Sequence, residues 1–219
     1  MAAPKLLDGP RRGAAPGDAR QLVVILHGYG ASGDDLIPLA DVWRPLLPDA
    51  AFVAPHAPEP CRDAPMGRQW FTLRTRSPEE RWAGAVAAAP TLDAFLDAEL
   101  ASFGLDDSKL MLVGFSQGTM MALHVGLRRP RPPAGILGYS GLLVGPERLA
   151  ARGDTLPVFL VHGDQDGVVP VEALFQAVEA MAAVGIASQW HVCEGLDHMI
   201  DDAGLALGGR FIVEALTGR

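Results

Sequence analysis

The sequence predicts an α/β protein, a mostly parallel central sheet with helices on both faces and no large inserted cap. Three observations predict it. Short apolar runs of strand length alternate with helix-like segments along the whole chain, the pattern of a parallel sheet covered on both sides. Several runs end in turns that carry Gly, Ser, Asp or His. At 219 residues the chain suits one domain burying roughly 70% of its unfolded surface. A single domain over 1–219 is therefore expected, with residues 1–20 a loop-rich N-terminal segment and no room for a cap.

Each element has its own signal. Residues 1–20 are rich in Pro, Gly and Ala, with Leu6-Leu7 as the one candidate edge strand. Leu22 to Leu26 is a buried-strand run ending in the Gly-rich turn His27 to Gly33. Asp34 and Asp35 then open a helix with Leu36, Leu39, Ala40, Trp43 and Leu47 at helical spacing. Pro38 is tolerable near its start, and Pro45 and Pro48 mark its end. Ala51 to Ala54 is a second strand, stopped by Pro55. Residues 55–80 hold five prolines without a period and read as a long loop, which Trp70, Phe71 and Leu73 mark as ordered; a packed, substrate-facing loop is preferred over one that only caps the core. Residues 79–103 are helical, with a kink or break at Pro90 and an apolar face of Leu92, Phe95, Leu96, Leu100 and Phe103. Leu110 to Val113 is a strand, followed by a helix carrying Met120, Met121, Leu123 and Val125. Arg128 to Pro133 reads as a solvated basic loop. Strands follow at 135–140 and 157–162, a helix at about 171–184, an alternating strand at 188–193 and a last helix at about 201–216.

Composition excludes several functions. The formal charge of −8, from 18 Lys+Arg against 26 Asp+Glu, argues against nucleic acid or an anionic membrane as a partner held by charge. No apolar run reaches the ~20 residues that span a bilayer. The first residues lack an apolar leader core, so no signal peptide is read and a cytoplasmic location is expected. Cys61 and Cys193 make neither a disulfide framework nor a zinc pattern. No metal-ligand spacing or phosphate loop occurs, so no cofactor is expected.

The chemistry centres on Gly114-Phe115-Ser116-Gln117-Gly118, which fits the nucleophile elbow G-x-S-x-G between a strand and a helix. The turn is so tight that side chains two residues either side of Ser116 would collide with it, hence the two glycines. A serine cap on an ordinary Gly-rich turn would look the same. What separates the two is the rest of the chain. Ser116, Asp166 and His198 each lie just past a predicted strand, where a parallel sheet gathers its site, and they follow the chain order of the α/β-hydrolase triad. In that arrangement His198 takes the Ser116 proton and returns one to the leaving group, while Asp166 holds the imidazole. The oxyanion needs two amides. Gln117, after the nucleophile, and Tyr29, in the turn after Leu26, are the candidates, with Gly28 and Gly30 letting that turn bend inward.

Other groups receive other readings. Asp164 is a possible acid but sits nearer the strand end and suits a structural hydrogen bond. Asp197 suits the turn before His198. His27 braces its loop. His56, His124, His162 and His191 are structural or surface groups, and no elbow surrounds either cysteine.

These residues resemble the bacterial phospholipase/carboxylesterase family, which includes the acyl-protein thioesterases. Leu26-His27-Gly28-Tyr29-Gly30 is similar to its L-H-G-x-G loop, Phe52 to Pro58 to its P-x-A-P segment, and Gln69-Trp70-Phe71 to the aromatic pair that follows. Gly114 to Gly118 has its G-F-S-Q-G elbow, and His162 to Pro170 its H-G-x-x-D-x-V-V-P, which puts the acid at Asp166. The resemblance covers nearly the whole chain. It implies the triad Ser116, Asp166 and His198 and the amides of Tyr29 and Gln117. Tyr29 stands where leucine is frequent, and Met199 where a smaller or polar residue is common, so the pocket wall is expected to differ there.

The expected protein is a serine carboxylesterase hydrolysing small-molecule or lipid acyl esters through an acyl-enzyme on Ser116, with Trp70, Phe71, Leu142, Leu143, Val168 and Met199 as an apolar pocket. Lysophospholipase and acyl-protein thioesterase use the same machinery. A non-catalytic receptor of this fold is the rival from another class. A homodimer is possible by resemblance, and no stable membrane insertion is expected.

Overall fold

The computed structural model describes residues 7–151 and 155–218. Nine strands and six helices follow in chain order: β1 (Arg11–Gly13), β2 (Gln21–Leu26), α1 (Gly33–Leu36), α2 (Leu39–Trp43), β3 (Ala50–Val53), β4 (Glu59–Pro60), β5 (Arg68–Gln69), α3 (Pro78–Phe103), β6 (Leu110–Phe115), α4 (Gln117–Gly126), β7 (Gly135–Tyr139), β8 (Val158–Gly163), α5 (Glu172–Ala183), β9 (Ser188–Cys193) and α6 (Asp202–Thr217). Seven strands form one sheet in the order β1-β3-β2-β6-β7-β8-β9. Only β1 runs antiparallel.

Period-two alternation divides the core between the two faces. Leu22, Val24, Leu26, Leu112 and Ile136 pack under α3, α4 and α5. Val23, Ile25, Phe52, Met111, Val113 and Leu137 pack under Trp43 of α2 and Phe211 and Ile212 of α6. Burial on both faces explains why these strands read as continuous apolar runs. The register levels their carboxyl ends: Leu26 faces Gly114, Phe115 faces Tyr139, and Gly163 faces Cys193. The turns after β2, β6, β7 and β8 therefore emerge on one edge. No helix among the described residues is long and apolar enough to cross a membrane.

Four local expectations need correction. The edge strand is Arg11–Gly13; Leu7 is not in it, and Leu6 lies outside the described residues. The helix expected from Asp34 to Leu47 is two short ones, because Pro38 lacks the N–H that would carry α1 onward. The 55–80 loop holds a small hairpin, β4 against β5. Pro90 does not break α3, which runs unbroken over 26 residues. Val86, whose carbonyl loses its helical donor there, is on the exposed side with Pro90, where an unmade bond costs least. Burial of Leu92, Phe95, Leu96 and Leu100 outweighs the roughly 3 kcal/mol that an interior proline costs.

The basic loop is not solvated throughout. The Arg129 side chain is only 6% exposed and pairs with Asp93, Asp97 and Asp107 at 2.6–2.8 Å. Arg131 Nε reaches the second Asp107 oxygen at 2.9 Å. A run of arginines reads as a charged loop until the chain brings three carboxylates from α3 and the turn before β6 around one of them.

Candidate active site

The strand β6 delivers Ser116 into a turn that is strained by its own chain. Ser116 has φ 53° and ψ −114°, a region an L-residue occupies only when its surroundings force it. A Cβ on Gly118 would stand 1.9 Å from the Leu26 carbonyl oxygen, and one on Gly114 would stand 2.4 Å from the Thr119 nitrogen. Those contacts are the physical content of the two flanking glycines. Gln117 then begins α4, so its N–H has no carbonyl one turn earlier within the helix.

The turn after β2 closes on the same point. A Cβ on Gly28 would come within 3.3 Å of Ser116 Cβ. His27 holds this turn from below. Its Nδ1 donates to the Gly28 carbonyl at 2.7 Å, and its Nε2 accepts from the Ala57 amide at 2.9 Å. That pairing requires a neutral ring, and burial pushes the imidazole down to about 4. Because the Gly28–Tyr29 peptide is trans and planar, pinning its carbonyl toward His27 directs the Tyr29 N–H the opposite way. Neither the Tyr29 nor the Gln117 amide has a hydrogen-bond partner among the described residues. The Tyr29 phenol turns away and donates to Asp63 at 2.9 Å, its pKa raised by burial and by Cys61 and Asp63.

At the end of β8, Asp166 accepts from His198 Nδ1 at 2.7 Å through Oδ2, and from the Val168 and Val169 amides at 2.9 and 2.8 Å through Oδ1. Burial pushes this carboxyl up, but the His198 bond and the two amides outweigh it, leaving it below its ordinary value. A carboxylate only accepts, so His198 Nδ1 carries the hydrogen of this bond, and in the neutral ring Nε2 is the acceptor. The His198 ring lies 5.0 Å from that of Phe115, the neighbour of Ser116. Asp164 takes the Gly195 amide at 2.7 Å, and Asp197 takes those of His198 and Gly167. Both have the structural roles their positions suggested.

Two participants were missed. His162 is buried, and its Nε2 lies 2.8 Å from the Val169 carbonyl and 3.2 Å from Asp166 Oδ2. Two imidazoles thus flank one carboxylate oxygen; the i,i+4 spacing of His162 and Asp166 was the available signal. The Gln117 side chain, considered only for its amide, accepts from Trp70 N at 3.0 Å and donates to Phe71 O at 2.8 Å. The Trp70 indole donates to His27 O at 2.9 Å. The elbow, the aromatic pair and the β2 turn are thereby tied into one unit.

The expected pocket residues do not all share one surface. Trp70 and Phe71 are buried beneath the site, Phe71 packed against Gly84 of α3. Val168 and Met199 are 53% and 55% exposed on either side of the Asp166–His198 pair. Leu142 and Leu143 line a cavity of about 280 Å³ between the first turns of α3 and α5.

Comparisons with known proteins point to one family. Residues 14–214 match the phospholipase/carboxylesterase family. The esterase YpfH of Escherichia coli is 28% identical over 85% of this chain and 79% of its own. Acyl-protein thioesterase 1 of Schizosaccharomyces pombe is 31% identical over 68% of this chain and 69% of its own. The crystal structure of esterase PE8 superposes with a TM-score of 0.92 at 45% identity, over 97% of this chain and all of its own. The chain belongs to the phospholipase/carboxylesterase family of α/β-hydrolases and is a serine hydrolase of carboxylic esters.

Proposed function

We propose that Ser116 is the nucleophile, His198 the general base and acid, Asp166 the residue that holds it, and the Tyr29 and Gln117 amides the oxyanion donors. The observation that carries this reading is the strained Ser116 backbone against the Gly28 turn, with a histidine whose Nδ1 is committed to Asp166 beside the adjoining Phe115. As Ser116 Oγ bonds to the ester carbonyl carbon, its proton passes to His198 Nε2. The carbonyl oxygen becomes an oxyanion and accepts from the two unpaired amides, each worth about 2.7–4 kcal/mol to the barrier. Collapse breaks the ester C–O bond, and His198 returns the proton to the departing alcohol. Water then attacks the acyl-enzyme by the same route, releasing acid and free Ser116.

The substrate is a small-molecule or lipid acyl ester, met in the cytoplasm and reached through an uncapped edge flanked by Val168 and Met199. The test is hydrolysis of p-nitrophenyl esters from acetate to palmitate, with a fluorophosphonate label located by mass spectrometry. Label on Ser116 with turnover supports the assignment. Label elsewhere refutes the nucleophile, and folded protein with neither label nor turnover refutes the hydrolytic role. Preference for the longest chains would move the substrate toward lysophospholipids or acylated proteins.

A further inference from the structure

Arg81 is anomalous. It lies in the first turns of α3, half-buried, with its Nε fully buried and unpaired. Its side chain makes no hydrogen bond or ion pair among the described residues. The acid beside it cannot serve. Glu80 already accepts from the amides of Arg74, Thr75 and Arg76 and from the Thr75 hydroxyl. Arg76 adds a second positive charge nearby, and burial together with that charge lowers the affinity of Arg81 for its proton. A guanidinium whose Nε–H is buried without an acceptor is unfavourable at that atom, and such groups are ordinarily paired.

Arg81 lines the cavity that Leu142 and Leu143 share with Val144, Ala173 and Ala177. Glu147 is also on its wall, but its carboxylate is two-thirds exposed and paired with Arg148 at 3.0 Å. By topology the cavity lies at the same edge of the sheet as Ser116. The first turns of α3 and α5 and the segment after β7 all lie at the carboxyl ends of the strands. That segment also begins against the elbow: a Cβ on Gly141 would come within 2.9 Å of the Ser116 carbonyl oxygen.

From this cavity we infer that the enzyme takes acyl chains ending in an anionic group, half-esters of dicarboxylic acids, with Leu142 and Leu143 against the methylenes and Arg81 on the terminal carboxylate. This rests on the ester-hydrolase reading of Ser116. A planar guanidinium suits a carboxylate because it offers parallel donors, and an apolar wall disfavours a chain whose charge finds no partner.

The experiment compares kcat/KM for monomethyl suberate and methyl octanoate, which share chain length and differ at the far end, in wild type, R81Q and R81K. Monomethyl adipate and monomethyl sebacate bracket the length. Wild type is expected to favour one of the half-esters over its methyl-terminated counterpart by at least about tenfold, the value of one charge-assisted hydrogen bond. R81Q should lose that preference, and R81K should recover part of it. Equal or reversed preference in wild type, or an unchanged ratio in R81Q, overturns the inference. Binding of the suberate dianion to S116A, read as a thermal shift that disappears in S116A/R81Q, tests the site without turnover. If binding depends on Arg81 while no ester is cleaved, the anion site stands and the hydrolase reading fails. If esters are cleaved but suberate binding ignores Arg81, the reverse holds.

Discussion

Arg129, buried, and Arg81, half-buried, lie at opposite ends of the same helix layer, and they are treated in opposite ways. Arg129, past the end of α4, holds three carboxylates within 2.8 Å. Arg81, at the catalytic edge, holds none among the described residues. Arg129 itself is answered from within the chain, as a buried charge requires. At the catalytic edge the pattern recurs as incompleteness: a strained serine, two amides without partners and a guanidinium without an acid. On the reading proposed for Ser116 and Arg81, the catalytic edge is left for a substrate to complete.

The largest expected effect tests whether the catalytic edge is expendable for folding. Ser116→Ala should reduce kcat on p-nitrophenyl butyrate by a factor on the order of 10⁶, with an unchanged urea midpoint. A shifted midpoint would show that Ser116 also supports the fold.

At the other end, Arg129→Met should destabilise by about 3–5 kcal/mol, because three carboxylates lose the cation they surround. kcat/KM per folded molecule should stay near wild type. Urea unfolding and active-site titration together check this, and lost activity in protein that remains folded would contradict the separation of the two ends.

Acid should weaken the fold through two buried histidines, His27 in the turn after β2 and His124 in the last turn of α4. His27 is neutral in the fold, with its value pushed down to about 4 by burial, while the unfolded chain protonates it near 6.5. Between those values the unfolded state binds more protons, so stability falls as pH drops from about 6.5 to about 4, by roughly 3 kcal/mol for His27. His124, also pushed down to about 4 by burial and by Arg128, adds to the same window. Asp166 works lower, its contribution being present above the unfolded carboxylate value and lost only as pH falls through its depressed folded one. Denaturant midpoints at pH 7, 5.5 and 4 measure the slope, which His124→Gln should make shallower. A flat midpoint across this range would mean that these histidines are not held neutral.

Two smaller effects sharpen the contrast. Ser116→Gly should be inactive yet more stable by about 1 kcal/mol, since glycine relieves the positive φ. Arg81→Gln should change stability by no more than ~0.5 kcal/mol, because no partner is stranded. A loss approaching that of Arg129→Met would reveal a structural role for Arg81 and blur the distinction between the ends.

Much of this protein was legible before any coordinates. Leu22 to Leu26 and Leu110 to Val113 announced buried parallel strands, Gly114 to Gly118 announced the elbow, and the order of Ser116, Asp166 and His198 placed three turns on one edge. These features are encoded by near neighbours, through side-chain periodicity, the steric demand of a tight turn, and the rule that parallel strands present their turns together. The tertiary structure alone decided the partners of long or buried polar groups. Gln117 reaches across to Trp70 and Phe71, His162 closes on Asp166 beside His198, Arg129 finds acids from α3, and Arg81 finds none. Burial and pairing depend on which distant segments arrive at a side chain, and no local pattern records that. The fate of Pro90 shows the same limit, because its local preference to break a helix yields to the burial of Leu92, Phe95 and Leu96 against a sheet assembled from strands far away in the chain.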